Sequence, residues 1–420
     1  MKKNGFIMST YIYVLLVFFL LLLGTMLVVL NNTRLLANKI KENTDGNIDF
    51  NLILKGDKEI ILKKDSEYIE PGYIATTFDG KKLDVNVMGE VNVNKLGEYD
   101  IMYIAEYKGV EKKIRRKVIV AENLVTYITN LYEDSITRTS NGLKKDNTPD
   151  QNIRYYGSDP NNYVRFNNEL WRIIGVFGNN VKLIRSEKLG DLSWDSSEES
   201  INEGWGVNEW STSALKNYLN TMYYGGTSVT CYSSYNNQTI TCPTNTLDDA
   251  SKSLIDNHTW NTGAPNYNEL YNSTTQSYDT VEFYKAERGT TNGKICSSGR
   301  MCNDTVTRTT TWTGYIALPY VTDWSYASSE DDCNTKIDQS STYKCKNNNW
   351  MQRSTWAWYL SPFAYGSGAY SAWIVGGGGR AGNGDAADSN AVAPSIYLKS
   401  NILIESGKGT SSDPYILSGN

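Results

Sequence analysis

Apolar residues are spaced in three different ways along this 420-residue chain, and each spacing predicts a different kind of element. From Phe6 to Thr33 there is no charged residue, and Phe6 to Leu30 is almost wholly apolar. At 1.5 Å per residue those 25 residues reach about 38 Å as a helix, more than the roughly 30 Å hydrocarbon core of a bilayer. A transmembrane helix is therefore expected over 6–44 after a basic leader at 1–5. Leu35, Leu36 and Ile40 continue it as an amphipathic extension. No small-residue cleavage site follows the apolar run, so the helix is expected to be retained as a membrane anchor.

Over 49–121 the period changes to two. One face of Glu98 to Tyr107 reads Tyr99, Ile101, Tyr103, Ala105 and Tyr107, and Ile114, Val118 and Val120 lie in the strand that follows. With turn pairs at Asp79-Gly80 and Lys108-Gly109, this pattern predicts a small all-β antiparallel sandwich. The basic run Lys112, Lys113, Arg115, Arg116 and Lys117 reads as a solvated strand face, because an alternating strand exposes half its residues.

The third pattern is mixed. Residues 122–150 read as a connector, with a short helical spacing through Val125, Ile128 and Leu131. In 151–420, strands are expected at Tyr163 to Phe166, Leu170 to Phe177 and Val181 to Arg185, the last two joined by the turn Gly178-Asn179-Asn180. Helices follow: one capped by Ser211 or Thr212, one by Asp248 or Asp249, and one from Asp279 to Glu287. Strands return at Gly314 to Pro319, Ala357 to Leu360, Ala372 to Val375 and Val392 to Leu398. Strands, helices and then a closing sheet predict an α+β domain. The expected fold class is thus multidomain: a transmembrane helix, an all-β sandwich and an α+β head.

Composition changes this picture at one place. All eleven Trp and all six Cys fall after residue 170, and between Ser354 and Leu398 the only charges are Arg380, Asp385 and Asp388. The rest of that stretch is aromatic and small, with glycines at 366, 368, 376–379, 382 and 384. Rigid aromatics among Gly, Ser, Asn and Asp are the chemistry of paratope-like loops. Loops 354–392 are therefore expected to bind a ligand. Trp358, Tyr359, Tyr365, Tyr370, Trp373 and Arg380 would stack and anchor, and Asn383, Asp385, Asp388 and Asn390 would hydrogen-bond. Alternation places Trp356 or Trp358 inward, not both.

Three resemblances add to these readings. Gly5-Phe6 behind a basic leader, then a helix apolar first and amphipathic later, resembles a type IV prepilin or pseudopilin over about the first 45 residues. The resemblance implies cleavage after Gly5, methylation of Phe6 and packing with other pilin-like subunits. Thr10 stands where that family carries an acidic residue, a departure that speaks against ordinary filament packing. In the spacer, Leu54-Lys55-Gly56-Asp57, Tyr68-Ile69-Glu70-Pro71-Gly72-Tyr73, Leu96-Gly97-Glu98-Tyr99-Asp100-Ile101 and Arg116-Lys117-Val118-Ile119-Val120 resemble the Ig-like repeats of bacterial surface proteins. The stretches Tyr163 to Val176, Trp210 to Asn220, Trp356 to Pro362 and Pro394 to Leu398 with Gly407-Lys408-Gly409-Thr410 resemble an uncharacterised family of bacterial surface domains. The element order is similar to the C-type-lectin-like fold.

The cysteines pair locally as Cys231 with Cys242, Cys296 with Cys302 and Cys333 with Cys345, each pair bracketing a polar loop. Three such bridges imply an oxidising space, hence a bacterial cell-surface, single-pass protein with its C-terminal domains outside. His258 is the only histidine, so neither a zinc site nor a histidine-dependent triad is expected. Nothing in the spacing of Glu198, Glu199, Glu282 and Glu287 selects a hydrolytic pair. Asp385, Asp388, Asn383 and Asn390 are oxygen donors of the kind Ca²⁺ takes, but Glu-Pro-Asn and Gln-Pro-Asp are absent from the head, and no cofactor is expected. A net charge of -5 with no basic stripe excludes a general nucleic-acid binder.

The expected protein is a non-enzymatic, adhesin-like surface receptor for a protein or glycan ligand. Its loop residues are largely those reached by changing adenines in asparagine codons, the character of receptors varied by diversity-generating retroelements. The rival readings are a minor pilin or pseudopilin and, behind both, a surface hydrolase.

Overall fold

The computed structural model describes residues 19, 23, 25, 26, 29, 30, 33, 49–196, 204–233, 238–265, 270–289, 309–338, 344–364 and 370–419. The chain divides into two compact units, Met1–Val120 and Ala121–Asn420, both built mainly of β-strands in several sheets. The leader with Gly5 and Phe6, and most of the expected 6–44 helix, lie outside the described residues. The seven that are described there are helical, and Phe19, Met26 and Val29 are each at least 60% exposed. Among the described residues no helix is long and apolar enough to cross a membrane, so the expected spanning helix has no support there.

In the first unit Asn51–Leu54 pairs antiparallel with Tyr73–Thr76. Val85–Met88 pairs with Gly97–Tyr107, and Gly97–Tyr107 with Val110–Asn123, in register from Gly97↔Val120 to Tyr107↔Val110. Lys108 and Gly109 both have positive φ, 50° and 82°, as a two-residue hairpin turn of type I′ requires. Phe50, Leu52, Ala75 and Ala105 form the core between the two sheets. The basic run needs one correction. Lys113 and Arg115 are exposed, but Arg116 has the parity of Ile114 and Val118 and is fully buried. Its guanidinium donates to the carbonyls of Asp57, Lys55 and Gly72 and lies 3.2 Å from the Glu70 carboxylate.

The second unit begins earlier than the sequence implied, because the expected connector is built into it. Helices Leu124–Glu133 and Ser135–Asn141 are capped by Asn123 and Asp134, and Leu124, Ile128 and Leu143 are buried. A long sheet carries Ile316–Ala317, Ser395–Tyr397, Asn180–Arg185, Glu169–Phe177, Tyr163–Phe166, Tyr415–Gly419 and Ile402–Ser406 in that order. The expected hairpin is there, with Phe177 opposite Asn180. Of Asp248 and Asp249 it is Asp248 that caps its helix, and Asp279, expected as the first helical residue, is instead the cap of Thr280–Glu287. The cap after Trp210 is Ser213, whose Oγ accepts from the Lys216 amide, and neither Ser211 nor Thr212 takes that role.

A second sheet has five strands in the order Gly190–Ser193, Ser389–Val392, Ala357–Pro362, Ser371–Val375 and Ala381–Asp385. The sequence reading held much of 376–392 as open loop. Instead Gly376–Gly379 forms a tight turn, closed by Gly379 N donating to Gly376 O at 2.8 Å, and the chain returns as Ala381–Asp385. Gly377 must lack a side chain, since a Cβ there would sit 2.2 Å from the Ser354 carbonyl oxygen.

Candidate functional site

This five-stranded sheet is covered on both faces. Cross-strand partners share a face, so Trp358 and Ile374 point one way while Ala357, Val375 and Trp373 point the other. On one side the ring centroids of Trp210 and Trp358 lie 5.2 and 5.8 Å from that of Trp194, and Trp358 Nε1 donates to Leu192 O at 2.8 Å. On the other side the Trp373 ring packs within 5.3 Å of Tyr278, Phe283 and Phe363, and its Nε1 donates to Pro265 O.

Four of the expected ligand contacts are therefore interior. Trp358, Tyr359, Trp373 and Asn390 are 1%, 3%, 0% and 8% exposed and offer no ring face or amide to a ligand. Of the pair Trp356 and Trp358, one does point outward: Trp356 is 44% exposed. Tyr365 lies outside the described residues.

Five expected contacts remain at the surface, and four of them gather at one end of this sheet. Arg380 and Asn383 are exposed, and Tyr370, Asp385 and Asp388 are partly so. Asp385 lies opposite Ser371, whose Oγ donates to its Oδ1 at 3.0 Å, and Asp388 Oδ2 accepts from the Asp385 amide at 3.0 Å. The turn between the two aspartates holds two aromatics. Ala386 N donates to Tyr370 O, Ala387 N donates to Trp205 O at 3.0 Å, and the Trp205 and Tyr370 rings meet edge to face at 4.5 Å. Trp205, 40% exposed, was missed because its sequence neighbours gave no period.

Beneath this rim the buried Asp195 carboxylate accepts from the amides of Val207 and Ala214. Gly206 packs where a Cβ would lie 3.1 Å from Ala386. The rim is thus held by backbone and buried side chains, the condition for a preorganised surface. Asn390 sits on the other face of the sheet, beside Gly384, so it does not join Asn383 and Asp385 around one ion. Among the described residues no group of three or more His, Cys, Asp or Glu is placed to hold a metal.

Ionisable groups are concentrated elsewhere in the unit. Asp323 accepts from Arg154 Nη1 and Lys182 Nζ, both at 2.6 Å, and Asp146 accepts from Arg154 Nε at 2.7 Å, with all four side chains at most 1% exposed. Burial pushes Lys182 down to about 8 against the pull of Asp323. Burial would raise Asp323, but Lys182 and Arg154 hold it below the usual carboxylate range. Glu287, fully buried beside Thr322, is pushed up to about 7 by burial.

His258 opens the strand His258–Asn261. It stacks on Tyr397 at 3.8 Å with Nδ1 3.0 Å from Asp256, and burial lowers its pKa against that carboxylate.

Among the described residues, two of the cavities on the unit can be described. The larger, about 540 Å³, is lined by Tyr271, Asn272, Ser273, Asp279, Glu282 and Lys336 among others. The smaller, about 70 Å³, lies between Arg172, Arg185 and Arg353. Disulfides join Cys231 to Cys242 and Cys333 to Cys345 as expected, and the pair Cys296 and Cys302 lies outside the described residues.

Residues 52–120 match the model of a family of Ig-like domains of bacterial surface proteins. The chain therefore carries a bacterial-surface Ig-like domain, as its motifs implied. No curated protein matches the chain. Among solved structures it is similar to a lipoprotein of Bacteroides thetaiotaomicron, at 22% identity over 34% of this chain and 62% of that one, with a TM-score of 0.17. The chain thus spans less than two thirds of that neighbour's length, and a likeness of this size carries no argument about activity.

Proposed function

We propose that this is a bacterial surface receptor, anchored by its N-terminal segment and binding a glycan at the rim formed by Trp205, Tyr370, Asn383, Asp385 and Asp388. The observation that carries the reading is the partly exposed Trp205–Tyr370 pair, fixed by backbone hydrogen bonds beside two carboxylates and an amide. An aromatic face suits the apolar face of a sugar ring, and carboxylate and amide groups suit its hydroxyls. The adhesin-like role rests on this surface and on the spacer-type domain before it. Anchoring is supported by the uncharged run from Phe6 to Thr33.

A filament role is the second reading, favoured by the exposed apolar side chains of Phe19, Met26, Val29 and Leu30 in the helical segment. Screening the full chain on a glycan array identifies the ligand. Trp205→Ala and Tyr370→Ala should then each weaken binding by about tenfold or more, the effect of removing an aromatic anchor. Wild-type affinity in both variants would sink the rim as the site. Recovery of the protein in sheared filaments would favour the second reading.

A further inference from the structure

A separate feature of the second unit has no role in the rim. Three arginines line the 70 Å³ pocket together with Ser186, Trp350 and Gln352. Each is held by its own partners. Arg172, 8% exposed, lies 4.0 Å and 4.7 Å from the ring centroids of Tyr163 and Trp350. Its Nε donates to Asn162 Oδ1 and its Nη2 to Asp159 Oδ1. Arg185 donates from Nε to Glu169 Oε2 at 2.7 Å and from Nη1 to the carbonyls of Glu187 and Lys188. Arg353 makes no direct ion pair among the described residues: Nη1 and Nη2 donate to the carbonyls of Ser186 and Arg185, both at 3.1 Å.

Arg172 and Arg185 are each in a direct ion pair, whereas Arg353 lines the pocket without one, the exposed Glu187 acting on it and on Arg185 only at longer range. The Ser186 hydroxyl is the second, independent sign. It lines the pocket, and its Oγ is buried with no hydrogen-bond partner among the described residues. A buried polar atom without a partner is costly unless something else supplies one. Gln352 cannot serve, because its amide is already bonded to Trp324 Nε1 and to the carbonyls of Arg353 and Gly376. Pockets for whole organic ligands run to roughly 300–1,000 Å³, so this one is the size of a single functional group.

We propose that the pocket bounded by Arg172, Arg185, Ser186 and Arg353 binds one oxyanion group, a sulfate or phosphate, either free or carried on a sugar. Planar guanidiniums offer such a group paired N–H donors, and the Ser186 hydroxyl adds one more. The inference uses no residue of the rim, so its failure would leave the proposed glycan site untouched.

Isothermal titration of the full chain with sodium sulfate, sodium phosphate and N-acetylglucosamine-6-sulfate, at ionic strength matched with chloride, tests it. Saturable binding is expected, weakened about tenfold or more in Arg353→Gln, the fold-change that one lost charge-assisted contact of about 1.4 kcal/mol gives. Ser186→Ala, a change too small to unfold the unit, should weaken it several-fold. Lys188→Gln, at an exposed position paired with Asp191, should leave it unchanged.

Tighter binding of the sulfated sugar than of sulfate identifies a group carried on a glycan, and equal binding identifies the free anion. The proposal is overturned by absence of saturable binding, by wild-type affinity in Arg353→Gln or Ser186→Ala, or by an equal loss in Lys188→Gln.

Discussion

The Ig-like unit and the second unit take charge into their interiors by different means. In the first, Arg116 is satisfied chiefly by backbone carbonyls, with the partly exposed Glu70 as its carboxylate. In the second, Asp146, Arg154, Lys182 and Asp323 satisfy one another. A cation held chiefly by carbonyls needs only the strands and turns that supply them. A chain of four buried ions needs partners fixed on several elements, because each ion loses its hydration and must find a charge or hydrogen bond in its place.

The same contrast governs legibility. Gly97–Tyr107 runs exposed, intermediate and buried with period two, as a strand wet on one side must. Ala357–Pro362 and Ser371–Val375 are buried at every position, so alternation there carries no information about which side chains reach water.

The comparison is broken most severely at its most interlocked point. Asp323→Ala would leave Arg154 and Lys182 buried without their shared carboxylate and should destabilise the second unit by about 3–5 kcal/mol. Urea unfolding followed by tryptophan fluorescence reads this unit alone, since every Trp lies in it. A loss below about 1 kcal/mol would mean the cluster is not structural.

Glu287 sharpens the comparison through pH. Its folded pKa of about 7 stands above its ordinary 4.5, so the folded unit holds a proton that the unfolded chain releases between those values. The contribution of this one group is full below about 4.5 and is lost as pH rises to 7, opposite in sign to that of the depressed Asp323, which is lost on acidification. Glu287→Gln removes that slope, so relative to its value near pH 4.5 the variant should gain about 3 kcal/mol on the parent by pH 8. Equal stability at both pH values would show that the carboxyl titrates normally.

The smallest effect belongs to the wet face of the Ig-like unit. Lys113→Gln removes one member of an exposed pair with Glu111 and should change thermal stability by no more than about 0.5 kcal/mol. A larger loss would mean that this basic face is covered.

Much of the site was legible in part only. Asn383, Asp385, Asp388, Arg380 and Tyr370 belong to the paratope-like stretch and do reach water, the first four because polar and charged side chains are seldom buried without partners. Trp358 and Trp373 were read with them because nothing local separates a rigid aromatic in a paratope from one in a core. Trp205, three residues from Asn208 and outside any periodic run, became visible only when the Ala386–Ala387 turn was found against it. The arginine pocket brings together positions 172, 185 and 353, which no sequence window contains.

By itself the sequence determined the things that local rules govern: the Ig-like unit with its hairpin at Lys108-Gly109, the strands at Tyr163–Phe166 and Leu170 to Phe177, the helices that begin near Asp248 and Asp279, and two local disulfides. Period, turn chemistry and capping act over a few residues, so they are written where they operate. Only the tertiary structure decided that the glycine-rich stretch is a sheet covered on both faces, that Arg116 points inward, and which aromatics face water. Those outcomes depend on what packs against a strand from elsewhere in the chain, and burial is a property of that partner as much as of the residue itself.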